Sequence, residues 1–436
     1  MKETKLESSL FEQAKIEVLE SIASFIDELD NNEKSLITKL LEPEKVIKLE
    51  IKWINEQGIE EVNTGYRVWY SSLLGIYKGG IRFTKNLSLD SLKMLAFEQT
   101  LKNAIIPYQM GGAKGGADFD PRDRSLADIK LFSEAFIKEL APYLNDDLDI
   151  PAGDLGVSSR EISFMNNYLK LLNQNTKVCF TGKDIHEGGS KARKEATGYG
   201  LVYFTSIALE ELLNTSFKNK RVIISGSGNV AIYAAKKVNE LGGIVVAMSD
   251  SRGFIYNASG VNLEVVKKLK EEARASLKGY LEFDNLSSYQ DDPKGIWSIP
   301  CDIALPCATE GELGILEARS LIKNKVILVA EGANKPTTNA AAKLIKENNI
   351  IFCPAKVANA GGVLTSALEI IQNKEDFKYS FSEVDKILED SMKQIFKDVL
   401  GISRKYNKEK DLLFGANLLG VTRLIAGYKK SVNKWR

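Results

Sequence analysis

From about residue 194 onward the chain alternates short, non-alternating apolar runs with helical stretches, and this restricts its fold more than any other feature. The runs are RVIIS (221–225), GIVVAMSD (243–250), CDIALPC (301–307), KVILVAEGA (325–333) and IIFCPA (350–355). Between or before them lie EATGYGLVYFTSIALEELL, NVAIYAAKKVNEL and TTNAAAKLIKENN, which read as helices. A strand with no polar face must be covered on both sides, and helical connections of this length join parallel neighbours. The fold class expected is therefore α/β, with a doubly wound sheet over residues 194–411.

The first 193 residues follow another pattern. An amphipathic helix over about residues 6–29 precedes VIKLEIKWI and GYRVWYSS, whose alternation predicts a half-buried sheet. Two helices follow, SLDSLKMLAFEQTLKNAII and SLADIKLFSEAFIKELAPYL, with the glycine-rich MGGAKGGADFD between them. A chain of 436 residues also exceeds the roughly 250–300 that one core sustains, so residues 1–193 are expected as a second α/β domain. The tail 412–436 reads as a helix that returns to this first domain.

Composition narrows the chemistry. Lys and Arg number 59 against 58 Asp and Glu, without the excess of positive charge that a dedicated nucleic-acid binder carries. His186 is the single histidine, so multi-histidine metal sites are excluded and no metal is expected; proton transfer falls to Lys, Asp, Glu or Tyr. Cys179, Cys301, Cys307 and Cys353 are too few and too irregular for a zinc ribbon or a disulfide framework, which predicts a reducing, cytoplasmic setting. The N-terminus mixes acids and bases where a signal peptide would be apolar, and no segment approaches a membrane span.

Gly226-Ser227-Gly228-Asn229-Val230-Ala231 directly follows RVIIS and opens a helix. Gly226 suits a tight strand-to-helix turn, Gly228 the close approach of a pyrophosphate, and Ala231 the packing of helix on strand, with phosphates at the helix N-terminus. This is a Rossmann-like dinucleotide fingerprint. The next strand ends in Ser249-Asp250-Ser251-Arg252, where an acid suits the ribose 2′-hydroxyl of NAD and an arginine the 2′-phosphate of NADP. Both are present; alternatively Asp250 caps the turn and Arg252 is solvated. Lys114, inside Met-Gly-Gly-Ala-Lys-Gly-Gly, is a candidate acid/base because enclosure lowers a lysine's proton affinity, although this segment taken alone reads more readily as a solvated loop.

Taken together, GYRVWYSSLLGIYKGGIRF, FEQTLKNA, MGGAKGGADFD, PAGDLGVSSREI, GGSKARKEATGYG, SGSGNVA, SDSRG, DIALPCAT, VAEGAN, NAGGVLTSALE and GANLLG resemble the hexameric glutamate dehydrogenases of the amino-acid dehydrogenase superfamily, in order, from about residue 64 to 420. The resemblance implies oxidative deamination of glutamate to 2-oxoglutarate and ammonium with hydride transfer to a nicotinamide cofactor, in a homohexamer assembled through the first domain. Carried onto this chain, it makes Lys114 the catalytic lysine and Asp154 the proton shuttle. It places Lys102, Gln99 and Gly153 at the α-carboxylate, Lys78 and Ser366 at the side-chain carboxylate, and Thr181, Arg193 and Asn359 along the same pocket. Thr197 and Asn229 fall where the nicotinamide carboxamide binds. The residue at 252 points to NADP before NAD.

Several positions depart from the family pattern. Trp69-Tyr70-Ser71 stands for Gln-His-Asn, Gln109 and Lys194 for prolines, Glu310 for a glutamine and Lys335 for a methionine. Bulk or charge near the expected site would alter substrate choice or weaken catalysis. The alternatives are a dehydrogenase for another amino acid, or a regulatory relative that keeps the cofactor site.

Overall fold

A computed structural model describes residues 9–172 and 180–433, with side chains to 431; Cys179 lies outside the described residues. The chain divides into two compact units. The first comprises residues 1–191, 366–380 and 417–436, the second 192–365 and 381–416.

The first unit is built on five strands: β1 (Lys45–Ile54), β2 (Glu60–Ser71), β3 (Tyr77–Phe83), β4 (Gly112–Ala117) and β5 (Asp149–Gly153). Their order is β1-β2-β4-β3-β5. β1, β2 and β4 pair antiparallel, while β4, β3 and β5 run parallel. The alternation read in VIKLEIKWI is realised: Ile47, Leu49, Ile51 and Trp53 are buried, and Lys48, Glu50 and Lys52 are exposed. They enter a core with Phe83, Phe119, Phe132 and Phe136.

MGGAKGGADFD is not a solvated loop. Its centre is β4, buried along its whole length, and YKGGIRF forms β3 beside it. β4 has no large apolar side chain to announce a strand, and in β3 a Gly-Gly pair interrupts Tyr77, Ile81 and Phe83, because the glycines serve close approach instead. A Cβ on Gly112 would lie 1.9 Å from Thr100 Oγ1 of the helix Leu89–Ile105.

Seven strands form the sheet of the second unit: β6 (Arg221–Ser225), β7 (Ile244–Ser249), β8 (Phe254–Tyr256), β9 (Ser288–Gln290), β10 (Ile303–Pro306), β11 (Leu328–Ala330) and β12 (Ile351–Cys353), in the order β12-β11-β10-β6-β7-β8-β9. The five strands read from the apolar runs pair parallel. β8 and β9 add an antiparallel edge. They are three residues each, too short to show a period. The chain reverses its direction of growth between β6 and β10, and ligands of doubly wound sheets bind outside the strand ends at such a switch point.

One boundary is corrected. Residues 366–380, expected within 194–411, belong to the first unit. The cause is polar: Gln372 Nε2 donates to Ser190 Oγ at 2.9 Å and Asn373 Nδ2 to the Gly188 carbonyl at 2.8 Å. The tail is the helix Leu412–Asn433, whose residues from 417 on also count with the first unit. Among the described residues no helix is long and apolar enough to cross a membrane.

Candidate functional site

In the first unit, β4 carries Lys114, Asp154 directly follows β5, and β3 runs between them. β3 offers glycines there. A Cβ on Gly79 would sit 1.6 Å from the Ala113 carbonyl oxygen, and one on Gly80 would sit 2.8 Å from the Cβ of Asp154. Across this bare stretch Lys114 Nζ meets Asp154 Oδ2 at 2.9 Å, and Arg82 Nε meets the same oxygen at 3.0 Å. Lys114 is 6% exposed. Burial works against the charge on Asp154, but the Lys114 ammonium and the Arg82 guanidinium outweigh it and hold the carboxyl at about 2, against an ordinary 3.8.

The helix Leu89–Ile105 packs against these strands and brings the other expected cations in. Asn103 Nδ2 donates to the carbonyls of Lys78 (3.0 Å) and Gly111 (2.5 Å), and Gln99 Nε2 donates to Asn103 Oδ1 at 2.7 Å. Lys78 is 2% exposed, while Lys102 is half-buried in the last turn. Thr181 extends the sheet beyond β5: its amide donates to the Pro151 carbonyl at 3.0 Å, two residues before Gly153. Its hydroxyl is fully buried and has no hydrogen-bond partner among the described residues. A buried hydroxyl without a partner is costly, and a ligand oxygen would relieve it. Ser366 is buried in the helix Gly361–Lys374, within the stretch counted with this unit.

Arg193 and Asn359, expected with the substrate, belong to the second unit. Asn359 Nδ2 donates to the carbonyls of Gly332 and Ala333 and to Asn334 Oδ1, at 3.1–3.2 Å. Arg193 and Thr197 converge on Gly362, where a Cβ would lie 2.6 Å from Thr197 Oγ1 and 3.6 Å from the Arg193 guanidinium.

The fingerprint forms a cradle at the switch point. Gly226 has φ +86 and its amide donates to Ser249 Oγ at 2.9 Å; a Cβ there would lie 3.1 Å from the Cα of Ala308, just beyond β10. Gly228 is the N-cap of the helix Asn229–Glu240 with no side-chain cap, so the first-turn amides, Val230 included, are donors without a capping acceptor. A Cβ at Gly228 would meet nothing within 4 Å. Open space above uncapped amides fits a pyrophosphate.

Asp250 behaves as the cap of its turn. Oδ1 accepts from the amides of Arg252 (2.9 Å) and Gly253 (3.3 Å), and Oδ2 accepts from the Leu277 amide (2.8 Å) and Lys270 Nζ (3.4 Å). Burial raises its proton affinity, but these amides and Lys270 hold it below the ordinary value. Arg252 is exposed beside it. Three site groups escaped the sequence: Arg82, Asn103 and Lys270. Arg82 left a trace, as a second charged residue beside Lys78 in the short, glycine-rich YKGGIRF; the other two sit at helical positions that read as ordinary surface.

Two family models cover most of the chain: Glutamate/Leucine/Phenylalanine/Valine dehydrogenase over residues 188–431, and Glu/Leu/Phe/Val dehydrogenase, dimerisation domain, over 43–170. The chain belongs to the Glu/Leu/Phe/Val dehydrogenase family. It is 41% identical over 422 residues to an NADP-specific glutamate dehydrogenase of Helicobacter pylori, covering 95% of this chain and 94% of that one. Against an NAD(P)-specific glutamate dehydrogenase of Xylanibacter ruminicola the identity is 40% over 423 residues, 94% and 93% of the two chains. A crystal structure of Plasmodium falciparum glutamate dehydrogenase superposes with a TM-score of 0.93 at 39% identity, covering 97% of this chain and 91% of that chain.

Trp69 does not crowd Lys114 in this dehydrogenase. Val68 lies opposite Lys114 and Trp69 opposite Ala113 in the β2–β4 register, so alternation turns the indole to the other face of the sheet. There it stacks on Tyr77 at 4.8 Å and donates to Asp149 Oδ2 at 2.7 Å. Asp149 also pairs with Arg67, both side chains fully buried. Tyr70 is buried and donates to the Leu40 carbonyl at 3.0 Å. Gln109, Lys194 and Glu310 are exposed, and Lys335 is a turn residue at φ +46.

Proposed function

We propose that this chain catalyses the reversible oxidative deamination of L-glutamate to 2-oxoglutarate and ammonium, with NADP preferred over NAD as hydride acceptor. The observation that carries this reading is the buried Lys114–Asp154 pair, 2.9 Å apart, with Arg82 on the same carboxylate oxygen. Cations suit a dicarboxylic acid better than an aliphatic one, since Lys78 can meet a γ-carboxylate and Lys102 an α-carboxylate.

When bound, the nicotinamide supplies the hydride chemistry. The protein's part is to polarise and to move protons. Lys114 Nζ can turn from Asp154 to the 2-oxo oxygen of the substrate and stabilise negative charge there as nitrogen adds. Its departure removes the nearest cation from Asp154, whose carboxylate then gains proton affinity and can take a proton from the incoming nitrogen. The resting pair thus couples the two steps: one group is drawn to oxygen as the other becomes a base.

Cofactor choice follows from Asp250. Both its oxygens are held by protein groups, so it is poorly placed to accept from a ribose 2′-hydroxyl, while Lys270 and Arg252 supply positive charge for a 2′-phosphate. The active form is a cytoplasmic homohexamer assembled through the first unit, in keeping with the buried free thiols of Cys301, Cys307 and Cys353 and with the match of residues 43–170 to a dimerisation domain. Light scattering tests the assembly. The activity is tested by absorbance decay of NADPH and NADH with 2-oxoglutarate and ammonium. Ammonium-dependent oxidation, faster with NADPH and lost by about 10²–10⁴-fold in Lys114→Ala, is expected. Equal rates with both cofactors would refute the preference, and full activity of Lys114→Ala would refute the mechanism.

A further inference from the structure

The first unit contains a second buried ion pair that the mechanism does not use. Lys183 Nζ lies 3.1 Å from Glu369 Oε1, with side chains 2% and 0% exposed. Backbone groups hold both members of the pair. Glu369 Oε2 accepts from the Gly182 amide at 2.9 Å, Oε1 accepts from the Lys183 amide at 3.4 Å, and Lys183 Nζ donates to the Phe180 carbonyl. One carboxylate therefore grips both residues that follow Thr181, and the lysine closes the loop on the residue before it. From the other side Thr181 is tied by its amide to Pro151, and Gly182 sits at φ +85, a turn that only an outside restraint or glycine sustains.

Glu369 stands one helical turn after Ser366 on the helix Gly361–Lys374. The pair thus links two groups of the substrate set, the Ser366 hydroxyl and the Thr181 hydroxyl, and the latter is buried without a partner among the described residues. Isolating two charges in a core is expensive and rarely selected for stability alone, since apolar replacements are often as stable. We infer that Glu369 and Lys183 are positioning residues, which hold the Thr181 hydroxyl at a fixed offset from Ser366 so that the two receive the dicarboxylate substrate. This rests on the glutamate reading given above.

The test compares Lys183→Arg, the neutral pair Glu369→Gln/Lys183→Met, Thr181→Val and the triple variant. The neutral pair leaves no lone buried charge and so keeps the fold. Loss of a hydrogen bond to a charged ligand predicts that KM for 2-oxoglutarate rises about tenfold or more in the neutral pair and in Thr181→Val, with no further rise when they are combined. KM for NADPH stays within about twofold, and Lys183→Arg retains most of the wild-type value. Amide exchange at Gly182 and Lys183 speeds up about tenfold or more in the neutral pair, while β5 amides are unchanged. An unchanged KM in the neutral pair, or rises that multiply in the triple variant, overturns the inference. If wild-type protein shows no ammonium-dependent turnover, the glutamate assignment has failed instead, and unchanged exchange at Gly182 and Lys183 would still refute the positioning.

Discussion

Asp154→Asn keeps the shape of the side chain and removes its charge, leaving Lys114 and Arg82 to face a neutral amide. The folded carboxyl titrates at about 2 against 3.8 for an ordinary aspartate, because the two cations outweigh the opposing effect of burial. A displacement of that size corresponds to about 2 kcal/mol of stability. The sign follows from linkage: a folded value below the unfolded one gives stability that is fully present above the unfolded titration and is lost as pH falls through the folded one. Urea unfolding should place Asp154→Asn about 2 kcal/mol below wild type at neutral pH. The gap should close between the ordinary value of 3.8 and about 2, where the wild-type carboxyl itself takes up its proton. Independently, an amide cannot accept a proton, so kcat for ammonium-dependent NADPH oxidation should fall about 10²–10⁴-fold while NADPH binding persists. A stability gap that stays constant into acid would show that the loss is packing rather than ion pairing. A variant with near-normal kcat would remove Asp154 from the proton path.

Three further outcomes follow from the geometry. Gly228→Ala has room for its methyl in the ligand-free protein, so thermal unfolding should be unchanged while the Kd for NADPH, read by fluorescence titration, rises about tenfold as the pyrophosphate is pushed away. Lys270→Met and Arg252→Ser should each erode the preference for NADPH over NADH, with the wild-type preference weakening as salt is raised. Asp149→Asn strands the fully buried Arg67 and the Trp69 indole, and denaturant titration should report a loss of about 3–5 kcal/mol with no altered cofactor selectivity.

The second unit was legible because its strands are continuous apolar runs and its phosphate loop is local: Gly226, Gly228 and Ala231 lie within six residues of each other, and their spacing alone dictates a strand-turn-helix. The outer strand of the first unit's sheet was legible from a period of two in VIKLEIKWI, whereas GYRVWYSS, read the same way, is buried without alternation from Arg67 to Ser71 because it lies between two strands. What lay hidden was of another kind. Glycine strands carry no periodic signal, so β3 and β4 became strands only where helix and neighbouring backbone closed on them. Asp154 could be suspected from PAGDLG, but that its carboxylate shares one oxygen between Lys114 and Arg82 depends on residues 40 and 72 positions away. Asp250 offered two readings in sequence, and that its carboxylate also accepts from the Leu277 amide depends on the packing of the following segment. Short-range order is written in spacing because hydrogen bonds and side-chain alternation act over a few residues. Which charges meet, and which wide side chain turns away, is decided only when distant segments are packed together.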